Sequence, residues 1–257
     1  MSLYEDMRGI RDMPAKDVIG GIVTGIVKEN YSKDAPGMVK VELFLGEEGR
    51  NVTGWIPVMT PYGGAEHGLY ALPEVGAEVV VAFNMGDRNR PIVIGCLWSG
   101  KNKQPPQSVT EKNLTKTFLT KGGNQITVDD TDGKQKLTLL TKNGKGIELD
   151  EEKDSITLHD KDSKNSIVID SKKGEITVTA DKKLTLKAGS TSAVLDGSGS
   201  KLVLKSTTVE VSADKDLKLK GQDSSLEGTM LKLKGASSLQ AESSGTTQVK
   251  GTIVKIN

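Results

Sequence analysis

The most constraining feature of this 257-residue chain is a break in its composition at Phe118. All nine aromatics lie at or before Phe118, all eight prolines at or before Pro106, and all five arginines at or before Arg90. Residues 119–257 are built from Lys, Asp, Ser, Thr, Gly and single aliphatics. Such a stretch has no large side chains with which to fill a wide core. It does not read as disorder either, because aliphatic pairs at i and i+2 recur along it. The pairs are Ile126 and Val128, Leu137 and Leu139, Ile147 and Leu149, Ile156 and Leu158, Ile167 and Ile169, Ile176 and Val178, and Leu184 and Leu186. The series continues with Leu202 and Leu204, Val209 and Val211, Leu217 and Leu219, and Leu231 and Leu233. Each pair falls on one side of a strand. Turn formers such as Asp132 with Gly133, Asn143 with Gly144 and Lys173 with Gly174 separate them, and successive pairs are mostly 7 to 11 residues apart. Strand–turn–strand repetition at this short period is the signature of a β-solenoid or fibrous β-structure. Two or three aliphatics per strand build only a thin core in one chain. Stacking neighbours, or winding several chains together, buries the aliphatic rows and removes free edges.

The first half also reads as all-β. Runs over residues 22–27, 38–45, 51–56, 78–83 and 91–95 are rich in β-branched or aromatic side chains, with Gly-, Pro- and Asp-containing turns between them. Five such strands suit a small Greek-key barrel of the OB-fold type. Residues 3–13 are expected to form a short helix with Leu3, Met7 and Ile10 on one face, stopped before Pro14. The expected organisation is an N-terminal segment (1–17), a barrel (18–100), a linker (101–118) and a repetitive shaft with its tip (119–257).

Charge and rare residues narrow the chemistry. A balance of 35 Lys+Arg against 34 Asp+Glu argues against a dedicated polyanion binder. One Cys excludes an internal disulfide, and two distant His leave little for a metal centre. The opening residues lack an apolar segment, so neither a secretory signal nor a membrane span is expected. His67, beside Glu66 in a glycine-rich loop, and His159, beside Asp160 at a strand end, read as surface residues. Asp129, Asp130 and Asp132 before Gly133 lack the later ligands of a calcium loop and read as a turn. The segment 197–201 fails the spacing of a phosphate-binding loop. Cys96, in an apolar strand, is expected to be a buried packing residue. No catalytic, cofactor or metal site is expected.

The barrel region carries a more specific pattern. It contains Gly54 and Trp55 with Pro57 and Val58, then Pro73, Glu74, Gly76, Glu78 and Val79, then Gly86, Asp87, Pro91 and Gly95. In these positions it resembles the OB-fold domain of the VgrG and phage baseplate assembly protein V family, the central spike proteins of contractile tails and related injection systems. The resemblance covers roughly residues 20–106, and it is specific because several spaced Gly, Pro and acidic positions must coincide. Trp55, Pro73, Glu74, Gly76, Glu78, Gly86, Asp87, Pro91 and Gly95 are expected to be structural, since their types are those of turns.

The resemblance implies an all-β fold, with an N-terminal OB-fold barrel followed by a trimeric intertwined β-helix acting as a needle. It implies a mechanical, non-enzymatic function: a homotrimer driven into a target envelope when a sheath contracts, touching that envelope transiently and binding no nucleic acid. A separate trimeric hub is expected at the base, contacted by Leu3, Met7, Ile10 and the loop 63–70. A PAAR-like tip protein is expected at the other end, on Ile253, Val254, Ile256 and Asn257. Assembly in the cytoplasm, as part of a phage tail or tailocin-like particle, is expected. Two other readings compete. An OB-fold nucleic-acid binder is disfavoured by the neutral charge and the few aromatics. A β-solenoid surface adhesin lacks support from a signal segment.

Overall fold

A computed structural model describes residues 18–47 and 49–256. The helix expected over residues 3–13, with Leu3, Met7 and Ile10, lies outside the described residues, as does Asn257. By its internal contacts the chain divides into two units. The first runs to Leu186 and includes Ala193–Val203, and the second comprises Lys187–Ser192 and the residues from Leu204 onward.

Alternation of β-branched residues builds the first sheet. Strands β1 (Ile22–Glu29), β2 (Met38–Leu43) and β3 (Ile56–Pro57) are followed by a tight hairpin, β4 (Gly63–Gly64) and β5 (His67–Gly68). Then come β6 (Glu78–Phe83) and β7 (Pro91–Cys96). The sheet order is β3-β2-β1-β6-β7, with antiparallel neighbours. A parallel bridge between Val58 and Val93, with the Met59 amide donating to the Val93 carbonyl at 2.8 Å, brings the two edges together. The result is an almost closed five-stranded barrel, as the all-β OB-fold expectation requires. Every second residue points inward, so Val39, Val41, Val79, Val81, Phe83, Val27, Val93 and Ile56 are the buried core.

Residues 51–56 do not form the continuous strand that their composition suggests. Val52 makes a single bridge to Glu42, and strand pairing resumes only at Ile56. Thr53 is the reason. Its hydroxyl accepts from the Val41 amide at 3.0 Å and donates to the Gly54 carbonyl at 2.8 Å, so a side chain takes over the ladder and bends the backbone.

The repetitive segment forms a second sheet within the first unit. Strands β8 (Thr115–Leu119), β9 (Gln125–Asp129), β10 (Lys136–Leu140), β11 (Gly146–Asp150), β12 (Ser155–His159), β13 (Ser166–Asp170) and β14 (Glu175–Thr179) pair in strict sequential order. All are antiparallel and each is five residues long. Strand β8 overlaps the end of the stretch read as linker (101–118) and runs one residue past it. Its row positions hold Lys116 and Phe118, so it lacks the aliphatic pair that marks the others. The turns carry recurring side-chain support. Asp150, Asp160 and Asp170 each accept from a backbone amide at 3.0 Å, those of Lys153, Lys164 and Lys173 respectively.

Strands β15 (Lys183–Ala188), β16 (Thr191–Asp196) and β17 (Lys201–Lys205) form a third sheet in that order. Strand β16 was not evident from the aliphatic pairs, because its apolar residues, Ala193, Val194 and Leu195, are consecutive. Residues 206–256 contain no strand, so the pairs at 209 and 211, 217 and 219, and 231 and 233 lie in irregular backbone.

Gly25 tests the barrel. A Cβ added there meets the Glu42 carbonyl oxygen at 2.5 Å and Val41 Cγ1 at 2.6 Å, both on the adjacent strand. Gly25→Ala is expected to destabilise the barrel by about 1–3 kcal/mol through overpacking. Thermal unfolding of the wild type and the variant checks this.

Candidate functional site

Few side chains in the described residues have an arrangement suited to catalysis. His67 sits on the exposed β4–β5 hairpin, its Nδ1 2.9 Å from the Ala65 carbonyl oxygen and its ring 5.7 Å from that of Tyr62. His159, at the end of β12, has Nδ1 2.9 Å from the Asp160 carbonyl oxygen and Nε2 3.7 Å from Glu148 Oε1. Asp129 Oδ1 accepts from the Thr131 hydroxyl at 2.6 Å and amide at 2.9 Å, which holds its carboxyl below the usual range and accounts for it as a turn residue. Asp196 Oδ1 accepts from the Gly199 amide at 3.2 Å, so the segment 197–201 is also a turn. Cys96 corrects one expectation, for it is exposed rather than buried in packing. The register of β6 and β7 shifts between Val93 and Gly95, which places an extra residue at Ile94 and sets Cys96 opposite Val79. Cys96 is the last residue of β7, where the edge strand ends, and is exposed there. Partial burial pushes its thiol up, the opposite of an activated nucleophile.

The motif residues map onto barrel turns. Pro73 is buried and its carbonyl accepts from Asn30 Nδ2 at 3.1 Å. Glu74 and Gly76 form the turn into β6: the Ala77 amide donates to the Glu74 carbonyl at 2.9 Å, and Gly76 has φ +91°. Glu78 opens β6 opposite Ile26. Gly86 has φ +82°, and its carbonyl accepts from the Ile19 amide at 2.8 Å. Asp87 bridges to Val18 and accepts at Oδ1 from the Asn89 amide at 2.9 Å. Pro91 opens β7, and Gly95 adjoins its bulge. Trp55 is half-buried with Lys40 Nζ 4.8 Å above its ring.

The surface with the strongest physical demand lies on the seven-stranded sheet. Strand register aligns Phe118, Ile126, Leu139, Ile147, Leu158, Ile167 and Val178 in one row across it. A second row holds Lys116, Val128, Leu137, Leu149, Ile156, Ile169 and Ile176. These are the second and fourth residues of each strand, so both rows share one face. Many of these side chains are exposed, among them Ile156 at 43% and Ile176 at 71%. A groove of about 750 Å³ runs along part of the first row, lined by Leu139, Ile147, Leu158, Ile167 and Leu184. The opposite face carries a central row of Thr117, Thr127, Thr138, Glu148, Thr157, Val168 and Thr177.

An ion pair fixes that polar face. The Asp150 side chain, 5% exposed, lies 2.6 Å from Lys136 Nζ and 3.5 Å from Lys153 Nζ. The hydrogen bond from Lys136, then the Lys153 amide, holds its carboxyl down at about 2, against 3.8 ordinarily. The folded value is the lower one, so this stabilisation is complete above the ordinary value and is lost as pH falls towards about 2. The wild type is therefore expected to lose stability over that acid range. Asp150→Asn is expected to be less stable at neutral pH, with a flatter acid limb. Denaturant midpoints measured across the range check both.

An almost closed five-stranded barrel, followed in the chain by a ladder of short antiparallel strands, defines a class of all-β scaffold. The comparisons with known proteins are specific. Residues 23–98 match the Type VI secretion system/phage-baseplate injector OB domain. The Type VI secretion system spike protein VgrG5 of Pseudomonas aeruginosa is 35% identical over 136 residues, covering 48% of this chain and 17% of that protein. VgrG2a of the same organism is 32% identical over 130 residues, covering 48% of this chain and 15% of its own length. VgrG1c, also a spike protein of that system, is 28% identical over 151 residues, covering 54% of this chain and 21% of its own length. Residues 23–98 thus carry a barrel of the injector OB-domain family, and over about half of its length the chain is similar to VgrG spike proteins. The match spans less than a quarter of each of these relatives.

Proposed function

We propose that this chain is a structural, non-enzymatic spike component of a contractile injection system, a phage tail, tailocin or type VI particle, that punctures a target envelope when the sheath contracts. The observation that carries the reading is the uncovered double row of aliphatics on a sheet attached to an injector-type barrel. An antiparallel sheet can leave one face in water only if that face is polar, and an apolar face of this extent calls for cover. Three copies of the chain, with these rows turned towards a shared axis, supply it and form the needle. The irregular backbone of residues 206–256 supports the same reading. Val209, Val211, Leu217, Leu219, Leu231 and Leu233 are all exposed there, with no strand partner. In the proposed trimer, neighbouring chains supply the missing partners.

Two partner contacts complete the proposal. The loop 63–70, with exposed Tyr62, Leu69 and Tyr70 around it, is assigned to a trimeric hub at the base. Exposed Ile253, Val254 and Ile256 are assigned to a PAAR-like tip protein. Assembly takes place in the cytoplasm and contact with the target envelope is brief.

The test is oligomeric state. Analytical ultracentrifugation is expected to give a species of three times 27.4 kDa. Ile156→Asp and Ile167→Asp replace exposed side chains on the two apolar rows, so a single chain tolerates them. In the trimer each places unpaired carboxylates on a buried axis, at several kcal/mol per site. Both variants are expected to lose the trimer, and trimers that survive both changes overturn the reading.

A further inference from the structure

The barrel has a second feature that the spike reading does not use. A cavity of about 780 Å³ opens at one end of it, and its lining includes Arg50, Arg88 and Arg90. These are three of the five arginines in the chain, the other two being Arg8 and Arg11. The floor is apolar, with Leu43 and Phe83, and Trp55 stands in the wall. No carboxylate lines the cavity among the described residues. Arg50 is paired at 2.9 Å with Glu47, on the exposed rim, and no described carboxylate lies within ion-pair distance of Arg88 or Arg90.

The loop that presents two of these guanidinium groups is held in place before anything binds. The Asn84 amide donates to the Arg90 carbonyl at 3.0 Å, and the Arg90 amide to the Asp87 carbonyl at 3.0 Å. Asp87 Oδ1 accepts from the Asn89 amide at 2.9 Å. The backbone is thus fixed, and only side-chain freedom is lost on binding. Arginine forks match carboxylates bidentately. An apolar floor beneath a cationic rim selects a ligand that carries both kinds of group.

We infer that this cavity is a docking site for an acidic peptide segment of another protein, which sets a large apolar side chain on Leu43 and Phe83 and its carboxylates against Arg50, Arg88 and Arg90. The inference is independent of the spike reading, because it concerns the barrel alone and holds whether the chain is a trimer or a monomer. Charge complementarity favours such a peptide over nucleic acid, since one indole in the wall gives no series of stacking platforms.

The test is selection of a random dodecapeptide library against the full-length chain. Enriched sequences are expected to hold several Asp or Glu residues around a Leu, Ile or Phe. Fluorescence anisotropy of one selected peptide is expected to show binding weakened about tenfold or more by Arg88→Glu with Arg90→Glu, and less by the Gln pair. These residues are exposed, so both variants are expected to keep the wild-type melting curve, which circular dichroism checks. Enriched peptides without carboxylates, or equal binding by the Glu variant, overturn the proposal. Tighter binding of a labelled oligothymidylate than of any selected peptide overturns it in favour of nucleic acid.

Discussion

The structure depends on a five-residue strand that carries two aliphatics at its second and fourth positions. Alternation sends both to one face, and sequential antiparallel pairing aligns them with the same pair on the next strand. Register is held strictly, because a slip of one residue exchanges the faces and sets Thr127, Thr138 and Thr157 where Val128, Leu139 and Leu158 should be. Turn chemistry enforces it from the ends. The aspartates at 150, 160 and 170 each fasten an amide of the following turn, and lysines at 153 and 173 close back on two of them. The pattern is sparing in side-chain volume, which leaves a face that one chain cannot cover.

The barrel works under a different constraint. Five short strands must curve round a core made almost wholly of valine, and curvature requires close backbone approach. Gly25 meets that need where β1 crosses β2. Bulges after Val27 in the central strand β1 and at Ile94 in the edge strand β7 supply bends. The motif residues at 73–78 and 86–91 sit in the turns that these bends demand, which explains how the pattern is so recognisable.

Much of this was legible in the sequence. The aliphatic pairs located β9 to β14 because each strand repeats the same two-residue signal. Strands β8 and β16 were missed because Lys116 occupies a row position in one and three apolar residues run together in the other. The bend at Thr53 was illegible, since a threonine hydroxyl that replaces a ladder hydrogen bond looks like any strand threonine. Exposure of Cys96 was hidden for a similar reason: that it ends an edge strand leaves no mark in composition. The arginine cavity gathers residues from positions 50, 88 and 90, which only strand pairing brings together. The Asp150–Lys136 pair was equally invisible until register set the two residues opposite each other.

Sequential pairing has a consequence for how such a sheet changes length. Every strand finds its neighbours in the adjoining stretches of chain, so contacts are local and the sheet can zip from hairpin to hairpin. Loss of two consecutive strands, such as β11 and β12, brings β10 against β13 in the same antiparallel sense, with both aliphatic rows unbroken. Loss of a single strand reverses the direction of all that follows. Duplication or deletion in evolution is therefore quantised in hairpins, and the extent of the sheet can drift by whole units while the barrel at its head stays unchanged.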